Sequence, residues 1–195
     1  PPNTHPMCVL RTMVSALAMF DPDAEDNCEL AHERKAIRLT AQVPTIIADL
    51  HRTRSGKPVL SPDPNLGFAA NFLYMLRGTP PDHEEEQAFD LTLMLHADHG
   101  MNASTFASRV TISTLTDMHS ALTSAVGTLK GPLHGGANQR VMQMLHSIDN
   151  VGEVDSYIDG MLNDKQRIMG FGHRVYKCED PRTRHLRKTS AHLCE

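Results

Sequence analysis

The chain has 195 residues, of which 40% are hydrophobic and 22% charged, and its formal net charge is -4 at pH 7. This composition predicts a soluble globular protein that is long enough to bury a core, and no apolar run approaches the roughly 18 residues of a membrane span. The mild negative charge predicts no face for nucleic acid, although clustered arginines could still bind an anionic substrate.

The cysteines indicate a reducing, cytoplasmic location. Cys8, Cys28, Cys178 and Cys194 form no C-x-x-C pair, so neither a disulfide framework nor a zinc knuckle is predicted. Eleven methionines and no tryptophan favour packed helices, in which methionine fills irregular gaps. Because the chain begins at Pro1 instead of a methionine, we expect it to be an internal fragment of a longer protein.

Hydrophobic periodicity predicts two helices in the first third of the chain. Pro6 suits the first turn of a helix that reaches Phe20, and the acidic run 21–27 breaks it. A longer helix follows over residues 29–51. Pro44 lies inside it and predicts a kink instead of an end, because the same apolar period resumes beyond it.

Cap and turn residues delimit the next helices. A short helix over residues 68–76 should end at Gly78, and the pair Asp82 and Glu85 predicts a capping box that opens a helix through Leu95.

The segment 105–114 is ambiguous, because its valine, isoleucine and threonine content also fits a strand. We predict a helix there, capped by Asn102 or Ser104, and a further helix from Asp117 to Leu129.

The next stretch, residues 131–138, places one imidazole on a glycine-rich turn. Glycine and proline at 131–132 should end the preceding helix, with the glycine in the left-handed cap conformation. The glycines at 135–136 remove side-chain bulk beside His134, so a ligand or another backbone segment can come close. With Asn138 capping the next helix, His134 would lie near a positive helix end, stay neutral and donate a hydrogen bond.

Beyond this turn the pattern predicts helices over about 138–148 and 154–163. An irregular glycine-containing loop follows over 167–177, and Pro181 restarts a helix towards Cys194.

Three histidines share one setting, because His99, His134 and His173 each lie beside a glycine at a helix end. Each alone is also typical of a structural or surface histidine. Together they predict a functional site. His96 and His99 are spaced to share a metal ion, but no carboxylate or cysteine completes a zinc pattern, so we predict no metal.

The loop 167–177 and the segment that follows it each contain a feature suited to binding an anion. Gly170 and Gly172 flank Phe171, so main-chain N–H groups there could face an anion or an adenine ring; an ordinary surface loop is the alternative. Arg182 offers a forked guanidinium that binds carboxylates in bidentate fashion, or forms a surface salt bridge.

Taken in order, these segments resemble citrate synthase of the bacterial and archaeal type. The matching segments are residues 5–7, 36–44, 70–76, 95–99, 102–106, 131–138, 168–177 and 180–182. The resemblance implies an all-α citrate synthase fold, with a large-domain portion over residues 1–131 and the beginning of a small helical domain over 132–195. It also implies a homodimer that condenses acetyl-CoA with oxaloacetate to citrate and CoA, without a cofactor.

The resemblance also assigns roles to residues. His134 and His173 would be catalytic: the first hydrogen-bonds the thioester oxygen and the second polarises the oxaloacetate carbonyl. Ser104 would orient His134. Oxaloacetate would be held by His99, Asn102 and Arg182, and coenzyme A by Ile168, Met169, Gly170, Phe171 and Gly172.

Three alternatives stay open. A 2-methylcitrate synthase would differ only in taking propionyl-CoA, and one methylene is a small energetic difference. The family's general-base aspartate would follow residue 195, so this chain alone is expected to be inactive and could be a non-catalytic dimerising or ligand-binding fragment. A metal-dependent hydrolase is the most distant alternative.

Overall fold

The structure is a computed structural model that describes residues 3–98, 100–172 and 176–193. Within these ranges the chain forms nine α-helices and two short 3₁₀ turns, and no strand. The helices are α1 Pro6–Leu17, α2 Glu29–Arg54, α3 Phe68–Arg77, α4 His83–Ala97, α5 Ala103–Ile112, α6 Met118–Leu129, α7 Gly136–Leu145, α8 Val154–Asn163 and α9 Thr183–Leu193. The all-α prediction is confirmed.

The chain divides into two compact units. The first unit comprises residues 1–127 and 181–195, and the second comprises residues 128–180. The predicted division of the full protein into a large domain ending at residue 131 and a small domain after it stays a prediction.

The core of the first unit forms where α1, α2 and α6 meet. Leu10, Val14 and Val126 are its buried centre, and Val43 of α2 and Leu122 of α6 pack against them. The apolar positions of α1 recur every three or four residues, so one face of that helix can be buried. Leu10 and Val14 lie on that buried face, whereas Met13 and Phe20 are exposed.

Helix α2 is the longest element, and it continues through Pro44 without a break in the helix. Its last turn packs against the end of α3. The Arg52 guanidinium donates from Nε to the Pro58 carbonyl at 2.5 Å, and Gly78 ends α3 with φ of +102°. A Cβ on Gly78 would lie 3.1 Å from Arg52 Nη1, so both backbone angle and space favour glycine there.

Side-chain caps fix the starts of three helices as predicted. The Asp82 carboxylate accepts from the Glu85 N–H at 2.8 Å and the Glu85 side chain reaches back, forming the capping box. Asn102 caps α5, which resolves the ambiguous segment as a helix. The Asp117 carboxylate accepts from the Ser120 N–H at 2.8 Å at the start of α6.

Among the described residues, none of the helices combines the length and apolar character that crossing a bilayer requires.

Candidate active site

The His134 turn is a tightly closed backbone loop in the second unit. The N–H groups of His134 and Gly136 both donate to the Gly131 carbonyl, at 3.0 and 3.1 Å. The His134 carbonyl in turn accepts from the Ala137 N–H at 3.1 Å in the first turn of α7. The half-buried His134 therefore stands directly before the N-terminal end of α7. That end carries partial positive charge and suits developing negative charge on a bound molecule.

Backbone atoms lie close to both Gly135 and Gly136, so glycine is required at 135 and favoured at 136. A Cβ on Gly135 would come within 2.5 Å of the Leu129 carbonyl oxygen and 2.6 Å of Leu129 Cδ1. A Cβ on Gly136 would lie 3.0 Å from the Gly131 carbonyl oxygen. The expectation that these glycines permit close backbone approach is confirmed: the last turn of α6 approaches Gly135, and the 130–131 backbone approaches Gly136.

Two details of the predicted turn are wrong. Gly131 does not adopt the left-handed conformation, because the 128–136 hydrogen bonds close the turn with φ in the ordinary negative range. Asn138 is not the cap of α7, since the helix begins two residues earlier and Gly135 is its N-cap without a side-chain hydrogen bond. Because the His134 and Gly136 N–H groups both bond to the Gly131 carbonyl, the backbone already turns there and α7 begins before Asn138.

The segment Ile168 to Gly172 is an irregular loop, also in the second unit. Gly170 and Gly172 have φ of +89° and +77°, so both need the backbone freedom of glycine. Ile168 and Met169 are half-buried, whereas Phe171 is 79% exposed. An exposed aromatic ring between two left-handed glycines is available to stack on a planar group.

The N-terminus of α5 carries two of the predicted site residues. Asn102 Oδ1 accepts from the Thr105 N–H at 3.0 Å, so its oxygen is occupied as the helix cap and its NH₂ group is the part suited to bind a ligand oxygen. The Ser104 hydroxyl donates to the Ala125 carbonyl at 3.0 Å and ties α5 to α6. Both residues belong to the first unit.

Asp98 and Gly100 are described, whereas the residue between them is not. Asp98 Oδ1 accepts from the Gly100 N–H at 3.2 Å, and Gly100 has φ of +64°. His99 itself and His173 lie outside the described residues, so the predicted sites at these two histidines have no structural account.

Arg182 stands immediately before α9 in the first unit and is half-buried. Its carbonyl accepts from the His185 and Leu186 N–H groups, each at 3.1 Å, which fixes the backbone at this point. Its predicted role towards a carboxylate stays a prediction.

No group of three or more potential metal-binding side chains occurs within residues 3–98, 100–172 and 176–193. The structure thus offers no alternative metal centre in the described part of the chain.

Comparison with known proteins identifies the family. The profile described as "Citrate synthase, C-terminal domain" matches residues 1–195. The chain belongs to the citrate synthase family. It is 51% identical to a citrate synthase of Deinococcus radiodurans over 99% of the chain, and 46% identical to a 2-methylcitrate synthase of Mycobacterium tuberculosis over 93%.

A solved citrate synthase shares the fold. The structure of the enzyme from Thermoplasma acidophilum, a ternary complex with carboxymethyl coenzyme A and oxaloacetate, matches all of the chain with a TM-score of 0.85 and 30% identity. The chain covers 51% of that structure and 51% and 46% of the two relatives named above. It therefore spans about half the length of the citrate synthases that it matches.

Proposed function

We propose that the protein to which this chain belongs is a citrate synthase, which joins acetyl-CoA to oxaloacetate and hydrolyses the resulting citryl-CoA. The observation that carries the proposal is the His134 turn, closed on the Gly131 carbonyl at the start of α7 in a chain of this family. The Deinococcus relative is named citrate synthase at 51% identity, which supports the same activity.

The first chemical step explains why a histidine belongs on this turn. Removing a proton beside a thioester is difficult at neutral pH unless a positioned carboxylate takes it while a donor stabilises the oxyanion that develops. His134 is proposed to donate that hydrogen bond to the thioester oxygen. The N-terminal end of α7 directly behind it favours the same negative charge.

The second step needs an electrophilic ketone. His173 is proposed to polarise the oxaloacetate carbonyl, while His99, Asn102 and Arg182 hold the oxygen atoms of oxaloacetate. Since Asn102 Oδ1 is occupied by the Thr105 N–H, its amide NH₂ is the group proposed to contact substrate. Ser104 is proposed to orient His134, through a hydroxyl whose own hydrogen goes to the Ala125 carbonyl.

Coenzyme A is proposed to bind along Ile168, Met169, Gly170, Phe171 and Gly172. The two left-handed glycines and the exposed Phe171 ring support this, because they offer main-chain N–H groups and a stacking surface. The solved Thermoplasma relative was crystallised with a coenzyme A derivative and oxaloacetate, which supports the two substrate classes.

A 2-methylcitrate synthase is the second candidate, favoured by the Mycobacterium relative of that name at 46% identity. In both cases we propose a cytoplasmic homodimer that works without a metal or other cofactor. A non-catalytic role is the outcome to consider if the protein shows no turnover.

The test is formation of citrate from oxaloacetate and acetyl-CoA, or of 2-methylcitrate from oxaloacetate and propionyl-CoA, each measured with and without EDTA. His134→Ala should lower kcat by about 10²- to 10³-fold, the usual loss for one oxyanion donor. His146→Ala, at the exposed C-terminal end of the same helix, is the matched control and should keep full activity. Equal losses of kcat in both variants, or activity that EDTA abolishes, would contradict the proposal.

A further inference from the structure

One side of α7 packs against other residues of the second unit. Beyond Gly136, its half-buried residues are Ala137, Val141 and Met144, whereas the residues between them are exposed. Positions three, four and seven apart lie on one side of a helix, so these three side chains share a face. Val141 lies in the middle of that face.

The loop 168–172 lies against this face at Val141. A Cβ on Gly170 would be 3.4 Å from Val141 Cγ2. Both residues belong to the second unit, and Ile168 and Met169, which precede Gly170, are half-buried as well. The valine methyl group therefore supports the loop at the glycine in its centre.

Hydrogen bonds hold the chain just before the loop at the end of α8. The Gln166 N–H donates to the Met161 carbonyl at 2.8 Å, and the Lys165 N–H donates to the Leu162 carbonyl at 3.1 Å. Lys165 adopts φ of +55°, the left-handed conformation in which helices commonly end. The backbone is thus fixed two residues before loop 168–172 begins.

Packing on Val141 determines where the centre of the loop lies. Inside the loop, the Phe171 N–H donates to the Ile168 carbonyl at 3.4 Å, which closes a turn but does not attach the loop to α7. Apart from its chain neighbours, the described residues place only the Val141 methyl group within 4 Å of the position that a Gly170 Cβ would take. Loss of that methyl group would leave Gly170 without this support.

We propose that Val141 is a positioning residue for acyl-CoA. Its side chain keeps loop 168–172, the segment proposed to bind coenzyme A, on the helix that begins at the His134 turn. Val141 comes five residues after Gly136, the first residue of α7, which is about 8 Å along the helix axis. The loop is thereby held at a fixed distance from the proposed oxyanion donor. This role rests on the proposed function, because coenzyme A is the ligand proposed for the loop.

Removal of the support should weaken the binding of acyl-CoA and leave the other substrate unaffected. In Val141→Ala both γ-methyl groups are missing, so loop 168–172 should spend part of its time outside the binding conformation. We expect the KM for acyl-CoA to rise about three- to tenfold, while kcat and the KM for oxaloacetate stay within about twofold of the wild type. A variant that only lowers stability would not separate the two KM values.

The matched control is Met142→Ala, which removes a longer apolar side chain from the neighbouring, 51% exposed position of α7. Both of its KM values should equal those of the wild type. Equal changes in the two KM values of Val141→Ala, or no change in either, would overturn the proposal.

Hydrogen–deuterium exchange tests the contact without turnover. Residues 166–172 should exchange faster in Val141→Ala than in the wild type, and at the wild-type rate in Met142→Ala. Unchanged exchange in Val141→Ala would overturn the role of Val141 alone, whereas a wild-type protein that forms neither citrate nor 2-methylcitrate would contradict the proposed function. If Val141→Ala does not fold, NMR of the wild-type protein decides, because the Val141 methyl protons must then show a contact with the Gly170 Hα protons.

Discussion

Gly135 shows how a residue without a side chain can determine the geometry of a site. Its backbone angles, φ of -61° and ψ of -24°, suit any residue, so its conformation gives no reason for glycine. The reason is space, because the Leu129 carbonyl oxygen occupies the position that a Cβ would take. This close contact between the end of α6 and the start of α7 constrains the backbone next to His134.

Gly135→Ala is therefore expected to disturb the turn even though alanine favours helices. A methyl group 2.5 Å from a backbone oxygen must displace that backbone, at a cost of about 1–3 kcal/mol in stability, and should lower the proposed citrate synthase activity about tenfold or more. Circular dichroism melting and steady-state assays would measure both effects.

Gly160→Ala is the matched control, since Gly160 lies inside α8 and a Cβ there meets nothing within 4 Å. That change should be neutral or stabilise by about 0.5–1 kcal/mol. If Gly135→Ala has the same stability and activity as Gly160→Ala, lack of space is not the reason for glycine at position 135.

At the scale of single helices, most of the fold could be predicted from sequence because each helix carries its own signals. The start of α4 was predicted from the pair Asp82 and Glu85, and the start of α6 from Asp117. The end of α3 was predicted from Gly78. The start of α7 was predicted two residues late because Asn138 is a good cap by type, whereas a hydrogen-bonded turn decides the outcome. Long-range contacts such as that between the His119 and Asp21 side chains join residues 98 positions apart, and no local sequence pattern predicts them.

Asn102 combines a structural and a proposed binding role in one side chain, and two substitutions separate them. Asn102→Asp keeps an oxygen for the Thr105 N–H, so the free energy of unfolding should hardly change. It replaces the amide NH₂ with a negative charge, so the KM for oxaloacetate should rise about tenfold or more.

Asn102→Ala removes both groups and should in addition lose about 1 kcal/mol of stability, measured by thermal unfolding. If Asn102→Asp keeps a normal KM, the residue acts only as the cap of α5.

The acidic loop 21–27 makes the first unit sensitive to acid. Hydrogen bonds from the Arg34 and Arg38 guanidiniums hold the pKa of Asp23 far below its ordinary value. A carboxyl group with a lowered pKa stabilises the fold fully above the pKa of the unfolded chain, about 3.9, and this stabilisation is lost progressively as the pH falls below that value towards the lower pKa of the folded state. The wild-type Tm is therefore expected to decrease between about pH 6 and about pH 3.

In Asp23→Asn the side chain cannot titrate, so its Tm should be lower at about pH 6 and should fall less steeply towards about pH 3. Asp164→Asn, at the exposed C-terminal end of α8, is the control and should follow the wild-type curve. If the Tm of Asp23→Asn falls with pH in parallel with that of the wild type, Asp23 is not a cause of the loss of stability in acid.

At the scale of the whole molecule, the first unit has a large apolar groove of about 1070 Å³. Helices α2 to α6 line it, with side chains that include Val43, Phe72, Phe89, Met94 and Ile112. Phe72 and Phe89 stack at a centroid distance of 5.2 Å, and Met94 is 64% exposed. This apolar groove is a candidate contact surface for the proposed homodimer.

If the homodimer forms across this groove, a charge in the groove should separate the subunits. Met94→Lys would bury an unpaired ammonium group at the contact, so light scattering should detect a shift from dimer towards monomer at micromolar concentration. Leu162→Lys is the matched control, because Leu162 is 58% exposed on α8 in the second unit and should leave the dimer intact. A Met94→Lys protein that stays fully dimeric would place the interface elsewhere, and a wild-type monomer would end the dimer proposal.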